Sequence, residues 1–183
     1  FFDYDKDGDL DMYLLSNSGR SVGLFDLREG QREIRDPEGG NKLFRNDGER
    51  FSDVSEEAGI YGSAIGYGLG VTVADLNQDN WPDLYVSNDF FERDYLYINN
   101  RNGTFTDVTE QVGMHRICLT MGSNFGDLDN DGWLDIFATS YDRTLKDVVK
   151  GLIGEPHGLN SNKLYRNEKI IYLGCTRYCE VLE

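Results

Sequence analysis

The chain has no apolar stretch long enough to cross a bilayer, and nothing in it reads as a signal peptide. It does not begin with methionine, so a targeting signal upstream is compatible with what is here. Zinc-like ligand spacing is also missing. Cys118, Cys175 and Cys179 are odd in number, and neither His115 nor His157 falls in register with them. Cys118 lies in an apolar run and reads as a buried thiol; Cys175 and Cys179 sit in a tail that matches nothing else. Basic surface is scarce. With 18 Lys and Arg against 33 Asp and Glu, the formal net charge is −15, which argues against nucleic acid as a partner. The acids are not spread as a solvated surface would spread them. Twelve of the 33 fall in three nine-residue windows (five, three and four in 3–11, 75–83 and 127–135).

Those windows open three copies of one repeat: DYDKDGDLDMYLLSN from Asp3, DLNQDNWPDLYVSND from Asp75 and DLDNDGWLDIFATSY from Asp127. Their starts are 72 and 52 residues apart. Each follows D-x-[DN]-x-D-[GN]-x-x-D and then alternates in hydropathy. A second phrase, NKLFRNDGERFSDVSEEAGI, returns as DYLYINNRNGTFTDVTEQVGM and, cut short, as NKLYRN. A third phrase, GYGLGVTVAD and then LTMGSNFGD, leads into the later loops. Alternation at Leu69, Val71 and Val73, at Leu84 and Val86, and at Leu96 and Ile98 predicts strands. Asp47-Gly48 and Asn102-Gly103 predict tight hairpins, because Asn, Asp and Gly accept positive φ. Each unit then has four short antiparallel strands: A before the loop, B after it, C, a turn and D. The expected fold is all-β, with about three propeller blades of four antiparallel strands. Blade 1 is expected at about 1–55, blade 2 at about 66–109 and blade 3 at about 118–167, with a divergent tail over 168–183. Ser18–Gly40 and Asp142–Ser161 are insertions between strands B and C. The first reads as a loop and the second has helical spacing up to Gly154 and Pro156.

In the loops, oxygens at positions 1, 3, 5 and 9 and a carbonyl at position 7 would close a shell around a cation. The first set is Asp3, Asp5, Asp7, the carbonyl of Asp9, and Asp11. The second is Asp75, Asn77, Asp79, the carbonyl of Trp81, and Asp83. The third is Asp127, Asp129, Asp131, the carbonyl of Trp133, and Asp135. All-oxygen ligation selects a hard ion, and Ca²⁺ tolerates irregular coordination better than Mg²⁺, so up to three Ca²⁺ ions are expected. An EF-hand needs a bidentate acid at position 12, which here is Leu14, Val86 or Ala138. The second set has Asn77 and Asn80 in place of charge or glycine and should bind most weakly.

These words resemble the FG-GAP or VCBS repeats of integrin-type propellers, and more narrowly the propeller of the ASPIC/UnbV and cartilage-acidic-protein group. The likeness covers roughly residues 1–167 outside the insertions. It implies an extracellular, periplasmic or cell-surface protein that is secreted, and a fragment of a larger propeller of about seven blades. It also implies a non-catalytic adhesion or recognition scaffold that meets a protein or glycan ligand. The alternative is part of a polysaccharide-acting propeller enzyme, or a lectin-like propeller. No paired acid or nucleophile constellation stands outside the loops, which favours the non-enzyme. The insertions should project from the face opposite the loops, to meet a partner or simply to pack on the blades. Trp81 and Trp133 are expected to pack beneath the loops rather than stack on sugar. GYGLG precedes no helix, so a phosphate loop is not expected there. Asn102-Gly103-Thr104 has the form of a glycosylation sequon but is also a hairpin turn.

Overall fold

A computed structural model describes residues 1–19, 30–90, 92–114, 120–140 and 163–169. All three cysteines, both histidines, the second insertion and almost all of the tail lie outside the described residues. Ten strands and no helix are described. β1 (Met12–Leu14), β2 (Lys42–Asn46) and β3 (Phe51–Asp53) form one antiparallel sheet. β4 (Gly68–Ala74), β5 (Asp83–Asn88), β6 (Tyr95–Asn99) and β7 (Phe105–Asp107) form a second. β8 (Thr120–Gly126), β9 (Asp135–Ser140) and β10 (Lys163–Tyr165) form the third.

The middle sheet is the complete four-stranded blade that the alternation predicts, in meander order β4-β5-β6-β7. In the first sheet, Phe2, just before the loop, bridges Asp11. In the third, strands A, B and C are described. The hairpins form where Asn-Gly and Asp-Gly predict them, with Gly48 at φ 82° and Gly103 at φ 83°.

Registry explains how the blades stack. Directly opposed residues share a face of a sheet. In the middle blade Leu84 opposes Tyr97 and Val86 opposes Tyr95, whereas Tyr85 opposes Leu96. The first set packs with Tyr4, Tyr13, Leu43, Val54 and Ile60 of the first blade. Tyr85, Leu96 and Ile98 face the other way and pack with Ile136, Ala138 and Tyr165 of the third blade. Successive blades thus join head to tail through one repeated interface. Near strand A the approach is close: a Cβ on Gly68 would lie 2.6 Å from Leu15 Cδ1. The absence of a side chain at Gly68 is what permits that approach.

The segment after β3 adds a second tie between blades. Val54–Ile60 forms a tight turn in which Ala58 N–H donates to Val54 O (2.8 Å) and Ile60 N–H to Ser55 O (2.9 Å). The turn carries the Ala58 carbonyl to the N–H of Phe105 in the next blade, at 2.8 Å. Gly59 has φ +76°, and a Cβ there would meet the Phe105 carbonyl oxygen at 2.9 Å. Gly59→Ala should therefore cost roughly 1–3 kcal/mol, combining left-handed backbone strain with a backbone clash. Urea unfolding should show it as a lower midpoint at constant slope.

The described part of the first insertion packs on the blades, away from the acidic loops. Arg35 Nη2 donates to Ile60 O at 2.6 Å, and Arg32 Nε pairs with the buried Glu92 at 2.8 Å. That agrees with the packing alternative for residues 30–40; the second insertion is not described.

Candidate metal centre

Each acidic loop leaves the end of its sheet and reverses through two left-handed residues. Position 6 is Gly8 (φ 98°), Asn80 (φ 68°) or Gly132 (φ 89°), as the turn reading requires. Position 4 is left-handed too, at Lys6 (φ 59°), Gln78 (φ 56°) and Asn130 (φ 62°). Only Asn130 of these is a residue type that commonly takes this conformation. In the first and third loops positions 1 and 3 converge with position 9, whereas position 5 (Asp7, Asp131) is not a member of either cluster.

Backbone N–H groups fix those carboxylates. Asp75 accepts from Asp79 N–H (2.9 Å) and Asn80 N–H (2.7 Å); Asp127 accepts from Asp131 and Gly132 N–H, both at 3.0 Å. In the first loop Asp3 accepts from Gly8 N–H at 3.2 Å. Asp7, Asp79 and Asp131 each accept from the N–H two residues on, at 2.9, 2.8 and 2.9 Å. In that way position 5 orients the peptide of position 7, which is Asp9, Trp81 or Trp133. Trp81 also stacks under Lys6 of the first loop, whose Nζ lies 5.3 Å from the ring centroid.

Position 9 does something the sequence pattern does not announce. Asp11, Asp83 and Asp135 are buried, and each uses both oxygens to tie two parts of its blade together. Asp83 accepts from Leu76 N–H at 2.9 Å and from Asn99 N–H at 2.9 Å. Asp11 makes the same pair with Tyr4 (3.0 Å) and Asn46 (2.8 Å), and Asp135 with Leu128 (3.0 Å) and Asn167 (2.8 Å). This residue is a bracket between loop and third strand, whatever else its free lone pairs reach.

Three oxygens from Asp3, Asp5 and Asp11 lie within 4.8 Å of one another, as do three from Asp127, Asp129 and Asp135. In the second loop, Asn77 replaces one acid, and Arg101 reaches in from the β6–β7 turn. Its Nε and Nη2 both lie 2.9 Å from Asp79 Oδ2, which Asn77 Nδ2 also approaches at 3.0 Å. In the third loop, Arg166 Nη2 pairs with Asp129 Oδ2 at 2.6 Å. The first loop is the least compensated. Among the described residues, Asp3 Oδ1 and Asp5 Oδ1 are buried atoms with no hydrogen-bond partner.

Electrostatics agree with crowding. Burial, then the charges of Asp11 and Asp7, pushes the Asp5 carboxyl above its ordinary range. Burial also raises Asp11, against the two N–H groups that favour its anion. Asp83 is pushed up to about 7, first by burial, with Asp79 and Asp75 adding to the effect against the Asn99 and Leu76 N–H groups. Carboxylates held together at such cost are in need of positive charge. The second and third loops find part of it in arginine.

The fold and these loops define a class: a repeat protein of stacked antiparallel blades, each with an aspartate loop at the same corner. Within that class the chain belongs to the FG-GAP-like repeat family, whose model matches residues 3–86 and 75–138. Integrin alpha-7 of Homo sapiens and of Mus musculus are each 37% identical to it over 86 residues, covering 39% of this chain. The match covers about 7% of the length of those relatives.

Proposed function

We propose that the chain is a calcium-binding module of a non-catalytic recognition or adhesion scaffold, working outside the cell or in its envelope. The observation that carries this is the first loop. There Asp3 Oδ1 and Asp5 Oδ1 are buried with no donor among the described residues, within a cluster whose third member is Asp11. Buried anionic oxygens left bare are costly, and a hard cation is what would satisfy them. Asp3, Asp5, Asp7, the Asp9 carbonyl and Asp11 would hold it. Asp127, Asp129, Asp131, the Trp133 carbonyl and Asp135 would form the next site. Asp75, Asn77, Asp79, the Trp81 carbonyl and Asp83 would form the weakest, since Arg101 already sits on Asp79. Bound calcium would stiffen the loop corner and leave the opposite end of the blades to meet a protein or glycan.

The proposal includes blade limits of about 1–55, 66–109 and 118–167, which the grouping of the described strands into three sheets supports. Family membership and the integrin likeness support the non-enzymatic, extracellular reading. The narrower likeness to the ASPIC/UnbV group belongs to the same proposal.

Terbium luminescence tests the loop assignment, because Trp81 and Trp133 stand inside two of the three loops as sensitisers. Terbium emission should rise on binding and be displaced by calcium. Arg101→Ala, which removes the arginine from Asp79, should tighten the second site several-fold while costing about 1 kcal/mol of stability or less, since the arginine of the pair is largely exposed. An unchanged or weakened second site in that variant would contradict the role given to Arg101.

A further inference from the structure

At the acidic-loop end, between the first two blades, lies a groove of about 310 Å³. Asp5 of the first loop, Arg45 of β2 and Glu57 of the turn after β3 line it from one blade. Arg101, Asn102 and Thr104 of the β6–β7 hairpin line it from the next. The volume is at the low end for small-molecule sites and suits one sugar ring. The lining is mostly charged and polar, where a pocket for an apolar ligand would be lined by hydrophobic side chains.

Each blade brings one guanidinium to this groove, and each guanidinium is held by a carboxylate outside the lining. Arg45 Nε pairs with Asp47 Oδ1 at 2.8 Å. Arg101 Nε and Nη2 both lie 2.9 Å from Asp79 Oδ2. Both arginines are partly exposed, so an anion can reach them from solvent. Planar guanidinium is the side chain best matched to a carboxylate. Two acids oppose that match. Glu57 shares the lining, and Asp5 lies near enough to Arg45 for their charges to act on each other. The net charge of −15 also disfavours anions, but salt screens it beyond about 10 Å. The balance inside the groove therefore decides.

We infer that this groove binds the carboxylate of an acidic sugar between Arg45 and Arg101, and that cations in the first two loops strengthen the binding. The second half rests on the calcium reading given above. A divalent ion in the first loop offsets the charge of Asp5. One in the second loop competes with Arg101 for Asp79 and releases the guanidinium toward the groove. Two arginines then face one opposing acid, Glu57, and the groove changes from balanced to positive. Glu57 and Asn102 remain as hydrogen-bond partners for ring hydroxyls, which favours a sugar acid over an apolar carboxylate.

Ligand-detected NMR titration of the full chain tests this, with methyl glucuronide as probe and methyl glucoside as its neutral counterpart. Terbium luminescence on the same samples reports the loops independently. With calcium present, glucuronide should bind saturably in the millimolar range and at least about tenfold more tightly than glucoside, the scale of one charge-assisted hydrogen bond. Calcium-free protein should bind glucuronide several-fold more weakly. Arg45→Ala and Arg101→Ala should each lose most of the binding and still take up terbium. Lys42→Ala, which removes a cation from the far end of β2, should bind as wild type does. Terbium uptake without glucuronide binding overturns this inference and leaves the calcium reading standing; no uptake of either ion overturns both. Equal binding of glucuronide and glucoside, equal binding with and without calcium, or binding that survives both arginine substitutions also overturns the inference.

Discussion

Asp83→Ala should be among the most destabilising single changes in the chain, at about 3–5 kcal/mol. Asp83 is fully buried, and its two oxygens satisfy the N–H groups of Leu76 and Asn99. Alanine leaves both donors unpaired in the interior, and each such loss costs roughly 1–3 kcal/mol. Leu76 packs into the core shared with the third blade, and Asn99 is the latch onto Tyr4, so the damage should reach both blade interfaces. Asp83→Asn keeps one carbonyl oxygen and should fall between the two. Denaturant unfolding reads the difference directly. If Asp83→Ala cost less than about 1 kcal/mol, position 9 would be a cation ligand only, and the bracket account would fail.

The second large effect is expected from calcium itself. A ligand that binds only the folded chain stabilises it by about 2.7 kcal/mol per site at a hundredfold excess over its dissociation constant. Filling the first and third loops should thus add about 5 kcal/mol. For a chain of this size that raises the melting temperature by about 10–20 °C over chelator-treated protein. The gain should shrink by about half in Asp5→Ala, because that removes a ligand of the least compensated loop. Equal melting temperatures in chelator and in saturating calcium would count against cation-filled loops.

Much of this architecture is legible in the sequence. Leu84-Tyr85-Val86 and Tyr95-Leu96-Tyr97 alternate between two apolar interfaces, and the middle blade forms as that alternation implies. The turn positions Gly8 and Gly132 are visible because glycine marks positive φ. Other features escape a local reading. Lys6 and Gln78 take left-handed conformations that neither residue favours, held by the hydrogen bonds of the closed loop. The bracket at Asp11, Asp83 and Asp135 is a partnership across blade strands, so the template shows an acid at position 9 but not what it holds. Asn99 and Asn167 reach carbonyls 95 and 91 residues away, a separation no periodicity reveals. The signal was nonetheless present: all three copies of the second phrase place Asn at this position. Arg101 lies in a turn that only two of the repeats share in full, and its approach to Asp79 depends on tertiary geometry.

Isothermal titration of calcium, and separately magnesium, into the chelator-treated chain bears most directly on the loops. Saturable calcium binding is expected at two or three sites per chain, on the order of 10⁻⁴ to 10⁻³ M, as for extracellular modules. The first loop should fill first and the second last, and magnesium should bind more weakly throughout. No saturable heat with either ion, or tighter binding of magnesium than of calcium, would contradict the account.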